Sequence, residues 1–238
     1  MPPWKRAIDL LFCCAVLPGF ALATFFVAVL MSVTSPGPIF FRQERVGYTG
    51  RRFSLYKFRT MHVGADVSNH QLYSAMFMSS NAPMLKLDAK GDKRLIPFGW
   101  LIRALGLDEL PQIINIFKGE MSVVGPRPCI PYEYDRYSLS QRARFNAMPG
   151  ITGLWQVSGK NRTTFDRMVQ LDIEYAERRS FLLDSKIVLL TVPAVLIQVS
   201  DILRTHQRGP MYQNRLPDSA RPEQPLEISK NVPPARAS

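Results

Sequence analysis

The sequence predicts an α+β fold, in which a small and mostly helical domain carries one β-hairpin and follows an N-terminal helix inserted in a membrane. Three observations support this prediction. Residues 10–41 contain no charged side chain, and a run of roughly 20 apolar residues is long enough to cross a bilayer. The turn sequence Tyr-Thr-Gly at 48–50 separates two strand-like segments. The apolar residues of 113–117 recur at helical spacing.

The composition of the chain indicates an anionic partner. Its 238 residues are enough for one ordinary domain with additional segments. Lys and Arg total 30 against 19 Asp and Glu, which gives a net charge of +11. This balance is typical of proteins that bind nucleic acid, an acidic membrane surface or a phosphorylated substrate. The cysteines, Cys13, Cys14 and Cys129, form neither a disulfide framework nor a zinc-site spacing, and they fit a reducing cytoplasmic setting.

Residues 1–34 form the predicted membrane-inserted segment, because Leu10–Val33 is long enough to cross a bilayer and too long for a cleaved signal peptide. Pro18 lies inside this run, where proline removes a backbone hydrogen bond and kinks a helix. Both flanks are basic, and the positive-inside rule asks each of them to stay cytoplasmic. A re-entrant helix that bends at Pro18 satisfies both features, although they leave a plain spanning helix open. The basic residues are Lys5 and Arg6 before the run and Arg42, Arg45, Arg51 and Arg52 after it.

The main domain is predicted over residues 35–204, because the Ser-Pro-Gly-Pro sequence at 35–38 ends the helix. In its hairpin, Lys57 and Arg59 flank Phe58, and we expect both to point to one side as a phosphate-binding pair. Residues 205–238 are rich in proline and poor in large apolar residues, which predicts a disordered tail. The helices expected in between are an amphipathic helix within 64–91, a solvated linker helix over Tyr132–Met148, a helix from the N-cap Thr163 to Tyr175, and an interfacial or core helix over Phe181–Leu203.

The candidate site is the stretch from Arg103 to Pro128. Asp108 and Glu109 lie just before a helix that is predicted to begin at Pro111 and to end at Gly119. The unpaired N–H groups and the dipole of a helix N-terminus favour carboxylates or a bound phosphate there. Arg103 lies upstream of the acids. Arg127 lies downstream between two prolines, which hold its backbone in place. The alternative interpretation is that the acids cap the helix and the arginines are surface charges.

The motifs of several common enzyme classes are absent from the sequence. It contains no GxxxxGK[ST] phosphate loop, no GxGxxG after a strand and no HExxH. Its histidines, His62, His70 and His206, lie in uninformative contexts. What remains is an Asp–Glu pair with lysines and arginines beside a membrane insert. This set is typical of phosphoryl transfer, in which cations neutralise the transferring group and a carboxylate either attacks it or holds Mg²⁺.

Four motifs in order carry a family resemblance: SPGPIFFRQERVG, YKFRTM, LDELPQIINIFKGEMSVVGPRP and PGITGLWQVSGKN. With them the chain resembles the monotopic phosphoglycosyl transferases, also called the bacterial sugar transferase family, from about Lys5 to Leu203. The resemblance implies a cytoplasmic catalytic domain at the bacterial inner membrane. There a UDP-sugar donates a sugar 1-phosphate to undecaprenyl phosphate and UMP leaves, for exopolysaccharide or capsule synthesis. It also favours the re-entrant helix.

The resemblance further implies a role for each candidate residue. Asp108 would be the nucleophile that forms a covalent phosphosugar intermediate, which the lipid phosphate then attacks. Glu109 would assist Mg²⁺ binding or activate the lipid phosphate, so that both acids are the predicted Mg²⁺ ligands. Arg103 and Arg127 match arginines that hold phosphates. Lys57 and Arg59 belong to a motif that lines the same site.

The chain departs from the family pattern in two places. It reads Leu-Gly-Leu at 105–107 where relatives often read Thr-Ser-Leu, and Leu17-Pro18 where many read Ser-Pro. It is expected to be a minimal catalytic form, without the multi-span N-terminal domain of longer relatives. The expected partners are the two substrates and membrane lipids, with no nucleic acid, and a homodimer stays open. The main rival is a non-enzymatic, single-span membrane protein with a basic interaction domain. A Mg²⁺-dependent phosphatase for lipid diphosphates is the third interpretation.

Overall fold

A computed structural model describes residues 1–65, 74–75, 77–79, 94–159 and 163–207 of the chain. These residues are mostly helical and contain two small two-stranded sheets, which confirms the predicted α+β class. Apart from short 3₁₀ turns, the described helices and strands are α1 (Pro3–Thr34), β1 (Phe40–Val46), β2 (Arg52–Phe58), α2 (Gly99–Ala104), α3 (Gln112–Lys118), β3 (Ser122–Val124), α4 (Pro131–Tyr134), β4 (Gly150–Thr152), α5 (Leu154–Val157), α6 (Phe165–Arg178) and α7 (Phe181–Gln207).

Helix α1 is, within the described residues, the one helix long and apolar enough to cross a membrane. It runs continuously over 32 residues and contains Pro18. In its most apolar stretch only 11% of the residues are buried, because one broad face meets no other part of the domain. Whether the helix bends and returns to the same side of a membrane stays a prediction. The exposed face carries Leu11, Leu17, Leu22, Phe25, Phe26, Val29 and Val33.

The opposite face of α1 packs against the domain along most of its length. Cys13 belongs to the core cluster that includes Leu55 of β2 and Ile116 of α3. About five turns further along, Met31 packs in a second cluster with Phe58. The contacting positions follow helical spacing. Both ends of α1 are therefore held against the same domain.

The basic residues before the apolar run are bound inside the protein. Lys5 donates to Asp184 of α7 and to the hydroxyl of Tyr175. Arg6 donates to the carbonyl oxygens of Ile116 and Phe117 at 2.6 and 2.7 Å, at the end of α3. Both were predicted only as orientation charges, but in the structure they attach the start of α1 to three other helices, α3, α6 and α7.

The predicted hairpin is confirmed. β1 pairs antiparallel with β2, and the connecting turn puts Thr49 and Gly50 at positive φ. Because side chains alternate along a strand and paired residues share a face, the register opposes Gln43 to Leu55 and places Arg45 and Lys57 on that same face. This shared face is the one that lines the candidate site.

The second sheet pairs β3 with β4 in parallel. Their backbones approach so closely after Val124 that a Cβ on Gly150 would lie 2.1 Å from the nitrogen of Gly125. Glycine is therefore required at both positions. The glycines of the PGITG motif are explained by this close strand packing, which places the loop of Arg127 beside β4.

Two of the expected helices differ from the sequence prediction. The segment Tyr132–Met148 is not one solvated helix, because its middle is buried: Arg144 is 1% exposed and pairs with Asp172, which stands 28 residues away in sequence. It forms α4 and a short 3₁₀ turn instead. Helix α6 has Thr164 as its N-cap, where Thr163 was expected, since the Thr164 side chain accepts from the backbone of Arg167.

Two further predictions concern segments that the structure describes only in part. Most of 64–91 lies outside the described residues, of which 74–75 and 77–79 are helical. The predicted helix over Phe181–Leu203 is confirmed as α7, which continues to Gln207 and so enters the predicted tail. The remainder, 208–238, lies outside the described residues. Trp155 is fully buried in the core.

Candidate active site

Asp108 and Glu109 lie in a short 3₁₀ turn, Leu107–Glu109, that precedes α3. The turn starts at Gly106, whose φ of 69° suits glycine. Helix α3 begins one residue after Pro111 and ends at Gly119 with φ 77°, so its predicted limits hold within one residue. The acids are therefore carried by a separate tight turn before the helix.

Lys57 connects the hairpin to both acids. Its Nζ lies 3.0 Å from Oε1 of Glu109 and 3.9 Å from Oδ2 of Asp108. The Asp108 side chain is 14% exposed and that of Glu109 is 36% exposed. Asp108 is thus the more enclosed of the two carboxylates. The pairing of Lys57 with the Asp–Glu turn places a cation beside both acids.

Asn115 fixes the strand of Lys57 against the helix that follows the acids. Its fully buried side chain accepts from the backbone N–H of Tyr56 at 3.0 Å and donates to the carbonyl of Ser54 at 2.7 Å. It also donates to Glu120 at 2.7 Å. These bonds satisfy polar groups of β2 on the side that faces α3, and they set the position of Lys57 along the acids.

An open cleft brings predicted site residues together. Lys57, Glu109 and Arg127 all line it, although they come from β2, the 3₁₀ turn and the loop after β3. Asp108 borders it through its contact with Lys57. Arg103 lies in the last turn of α2, which packs against the turn of the acids. The other lining residues are Arg45, Leu55, Gln112, Pro128, Gly150, Ile151 and Gln156.

The structure separates Arg59 from Lys57. Arg59 is 5% exposed, and its guanidinium donates to the carbonyl of Pro38, at 2.8 Å, and to the hydroxyl and carbonyl of Ser35. These partners lie at and just beyond the end of α1. The side chain therefore anchors the membrane helix. The prediction that Arg59 and Lys57 point to the same side is wrong. Its predicted contact with phosphate stays a prediction.

Two buried arginines hold the loop of Arg127. Arg144 donates to the carbonyl of Arg127 at 3.1 Å, and Arg45 donates to the carbonyl of Pro128 at 3.3 Å. Arg144 also forms a fully buried ion pair with Asp172. Burial raises the pKa of the Asp172 carboxyl to about 6, against the opposing effect of Arg144. The loop is thus held by charged side chains as well as by its two prolines.

The chain matches the family model described as "Bacterial sugar transferase" over residues 2–198. The chain belongs to the bacterial sugar transferase family. This confirms the resemblance drawn from the four motifs.

Several curated proteins are similar to this sugar transferase. The galactosyl transferase CpsE of Streptococcus agalactiae is 43% identical over 162 residues, which is 68% of this chain and 35% of that protein. The exopolysaccharide production protein ExoY of Sinorhizobium fredii is 36% identical over 81% of this chain and 85% of its own length. A UDP-glucose:undecaprenyl-phosphate glucose-1-phosphate transferase of Caulobacter vibrioides is 36% identical, over 81% of this chain and 69% of that protein. The chain therefore spans most of ExoY but about a third of CpsE.

Three polar residues of this sugar transferase line the cleft and were missed as site residues. Arg45 was counted only as a flanking charge, although strand alternation and the register of the hairpin place it on the face of Lys57. Gln112 is three residues after Glu109, one helical turn along, and is 4% exposed. Gln156 lies in the WQVSG segment and donates to the carbonyl of Ile151. The alternation of side chains along the two strands of the hairpin places Arg45 on the face of Lys57, so Arg45 could have been predicted as a site residue from the sequence.

The oxygen ligands at the cleft suit a magnesium ion whose remaining ligands come from substrate phosphates and water. Within the described part of the chain, no group of three or more His, Cys, Asp or Glu side chains could enclose a metal by itself. Mg²⁺ usually binds through one or two carboxylates together with substrate phosphates and water. Glu109 lines the cleft, and the adjacent Asp108 lies 3.9 Å from the Nζ of Lys57, which also lines it. Two neighbouring carboxylates fit that mode of binding.

Proposed function

We propose that this sugar transferase moves a sugar 1-phosphate from a UDP-sugar to undecaprenyl phosphate and releases UMP, as an early membrane step of exopolysaccharide, capsule or other glycoconjugate synthesis. The observation that carries the proposal is the cleft in which Lys57 pairs with the Asp–Glu turn and which Arg127 also lines. The names of the relatives from Caulobacter vibrioides and Sinorhizobium fredii support the substrates and the pathway.

In the first step the carboxylate of Asp108 attacks the phosphorus that carries the sugar. A bond forms between Oδ and phosphorus, and the bond from that phosphorus to the oxygen bridging the two phosphates breaks. The electron pair leaves with UMP, and the enzyme keeps a phosphosugar as an acyl phosphate. Lys57 and Arg127 neutralise the charge that develops on the phosphate oxygens. Asp108 suits this role because its side chain is the more enclosed of the two acids.

In the second step an oxygen of the lipid phosphate attacks the same phosphorus. The bond to Asp108 breaks, the carboxylate is restored, and the product is a polyprenyl diphosphate sugar. Glu109 faces the cleft and accepts the proton of a monoprotonated lipid phosphate, which makes that oxygen a better nucleophile. Each step is a displacement at one phosphorus atom, so the two steps together account for all bonds made and broken.

Asp108 and Glu109 are the proposed ligands of Mg²⁺. When bound, the ion would supply positive charge to the phosphate oxygens of the donor. Lys57 contacts both carboxylates and shares that role from the hairpin side. Arg103, on the helix packed against the acids, is proposed to contact a substrate phosphate.

We also propose that α1 enters and leaves the inner membrane on the cytoplasmic face. A straight helix of 32 residues would be about 48 Å long, and a plain span would carry one end across the bilayer. In a plain span, either the hydrogen bond from Lys5 to Asp184 or the hydrogen bond from Arg59 to Ser35 would break. Asp184 and Arg59 belong to the same domain, so they cannot lie on opposite sides of the membrane. The exposed apolar faces of α1 and α7 support a position at the membrane surface.

Thiol labelling tests this topology. One cysteine is placed before Lys5 in a background without the native cysteines, and intact cells are treated with a membrane-impermeant thiol reagent. We expect protection in cells and labelling after lysis. Thr49→Cys, in the hairpin turn, is the matched control that reports the domain side in both arrangements. Labelling of the N-terminal cysteine in intact cells would instead establish a plain spanning helix.

The reaction itself is tested with the purified protein, undecaprenyl phosphate and a panel of UDP-sugars. We expect Mg²⁺-dependent release of UMP, and with donor alone an adduct of one phosphosugar on the intact protein. Asp108→Asn should form no adduct and lose activity by a factor on the order of 10³ or more. Glu109→Gln is the matched variant, which keeps the nucleophile and should still form the adduct, although more slowly because one proposed Mg²⁺ ligand is weakened. An equal adduct on Asp108→Asn would refute the nucleophile, and release of inorganic phosphate would indicate a phosphatase.

A further inference from the structure

Arg45 is a buried cation at the wall of the cleft. It is 4% exposed and stands on the hairpin face that also carries Lys57. Its guanidinium donates to two neutral acceptors, the carbonyl of Pro128 at 3.3 Å and the side chain of Gln43 at 2.7 Å. Its Nε is buried and has no hydrogen-bond partner among the described residues. Within the described ranges, no carboxylate forms an ion pair with it.

The neighbour of Arg45 in the cleft is a second cation, Arg127. Burial, followed by the positive charge of Arg127, lowers the pKa of Arg45 to about 10. Buried charges in proteins are normally paired, because the loss of hydration is costly. Arg45 and Arg127 line the same cleft, and in the part of the chain that the structure describes neither forms an ion pair with a carboxylate, so both are stabilised when an anion binds there. The arrangement therefore fits a negatively charged ligand better than an empty cleft.

We propose that Arg45 and Arg127 form a binding subsite for the phosphate of the departing UMP. The proposal rests on the proposed transfer reaction and adds a residue and a position to it. Lys57 is opposite Phe41 in the hairpin register, and Arg45 is four residues further along β1. That separation is about 13 Å at strand spacing. The long side chains of Lys57 and Arg45 both reach the same cleft, and Asp108 lies beside Lys57. We infer that the phosphate attacked by Asp108 binds nearer Lys57 and that the leaving phosphate binds nearer Arg45.

The subsite residues are held in place by other parts of the protein. Arg45 is held by Gln43 and Pro128, and the backbone N–H of Val46 donates to the carbonyl of Cys129 at 2.8 Å, which joins β1 to the loop of Arg127. Groups that are fixed before the reaction stabilise developing charge without having to reorganise. As the bond to the leaving phosphate breaks, negative charge accumulates on UMP. Arg45 and Arg127 are placed to stabilise that charge and to hold UMP until it departs.

The test compares Arg45→Gln and Arg45→Lys with the matched control Arg42→Gln. Arg42 is exposed on the opposite face of the hairpin, over the ring of Tyr56. UMP and inorganic phosphate are the binding probes, measured by calorimetry on detergent-solubilised protein. The two half-reactions are followed separately: adduct formation from the donor, and discharge of the adduct by undecaprenyl phosphate. Thermal unfolding shows which variants are folded.

We expect Arg45→Gln to weaken UMP binding and to slow adduct formation, each by roughly 10- to 100-fold, the usual effect of losing a hydrogen bond to a charged group. Arg45→Lys should lie between this variant and the wild type, because lysine keeps the charge but not the two-pronged contact. Discharge by the lipid phosphate should change less than about twofold, and Arg42→Gln should resemble the wild type.

Three results would overturn the subsite. In a folded variant, unchanged UMP binding and unchanged adduct formation would show that Arg45 only supports the loop of Arg127. A slower discharge with normal adduct formation would place the acceptor phosphate there instead. Equal slowing of both half-reactions with normal UMP binding would indicate a general structural effect. If Arg45→Gln does not fold, Arg45→Lys decides among these results. If the wild type forms neither adduct nor UMP, the transfer reaction fails, while UMP binding still tests the subsite.

Discussion

Removal of the Asn115 side chain should loosen the hairpin from α3 and move Lys57 away from the acids. Asn115 is fully buried and makes three side-chain hydrogen bonds, with Tyr56, Ser54 and Glu120. Two of them satisfy backbone groups of β2. Asn115→Ala leaves these backbone groups without their partner, in a place that water reaches poorly.

The magnitude follows from those three bonds. A typical hydrogen bond contributes about 0.5–1.5 kcal/mol of net stability, so the three together amount to roughly 3 kcal/mol. For a protein of this size, 1 kcal/mol corresponds to about 2–4 °C in the melting temperature. Asn115→Ala should therefore unfold about 6–12 °C below the wild type. Asn115→Asp should be similarly harmed, because its carboxylate faces the Ser54 carbonyl and the Glu120 carboxylate.

The assay is thermal unfolding of the protein in detergent, followed by circular dichroism, together with UMP release at a temperature where both variants are folded. Lys118→Ala is the matched control on the same helix. Its ammonium lies 3.2 Å from the hydroxyl of Tyr56 and is exposed, so its loss should cost less than about 4 °C. A melting temperature of Asn115→Ala within 2 °C of the wild type would refute the anchoring role, as would rescue by Asn115→Asp.

Other substitutions test single contacts. Arg127→Lys should lower kcat/KM for the donor by at least about tenfold without changing the melting temperature, because lysine cannot make the two-pronged phosphate contact; wild-type kinetics would make Arg127 a surface charge. Since the pKa of Asp172 is raised to about 6, kcat/KM for the donor should fall below that pH as Asp172 is protonated and its ion pair with Arg144 is lost. In Asp172→Asn the fall of kcat/KM at low pH should disappear. If kcat/KM still falls in the same pH range in that variant, the titrating group is another residue. Arg59→Gln should lower the melting temperature by uncoupling Ser35, whereas weakened UMP binding in the folded variant would place Arg59 among the phosphate ligands.

The local features of this protein were predictable from its sequence. The hairpin followed from its turn residues and strand-like flanks, and the end of α3 followed from Gly119, which reaches positive φ at little cost. The proximity of the acid pair to Arg127 was expected only because one motif contains all three residues. In the structure Glu109 and Arg127 line the same cleft. Local chain geometry decides each of these features.

The features that sequence did not predict depend on partners far away in the chain. The segment around Arg144 looked like a solvated helix because it is polar, yet Arg144 is buried with Asp172, and the charge of each compensates the other. Lys5 looked like an orientation charge, but its partner Asp184 is 179 residues distant. A charged side chain carries no local sign of burial, since burial depends on a counter-charge that only the fold supplies.

The tripeptide Lys57-Phe58-Arg59 links the chemistry to the membrane helix. Lys57 contacts Glu109 in the cleft, Phe58 stacks on Phe20 of α1, and Arg59 binds Ser35 just beyond the end of α1. Lys57 and Phe58 are adjacent residues of β2 and point in opposite directions, and Arg59 lies beyond the end of the strand, where it turns to Ser35. The short segment therefore holds the acids on one side and α1 on the other. The position of the cleft relative to the exposed apolar face of α1 is therefore set by the short segment Lys57-Phe58-Arg59, which contacts both. A lipid phosphate has a set height at the membrane surface, and an enzyme that attacks there needs its carboxylates at a matching height. This requirement explains why a basic and aromatic motif on the hairpin, which contains no acid itself, belongs to the same site as the Asp–Glu pair.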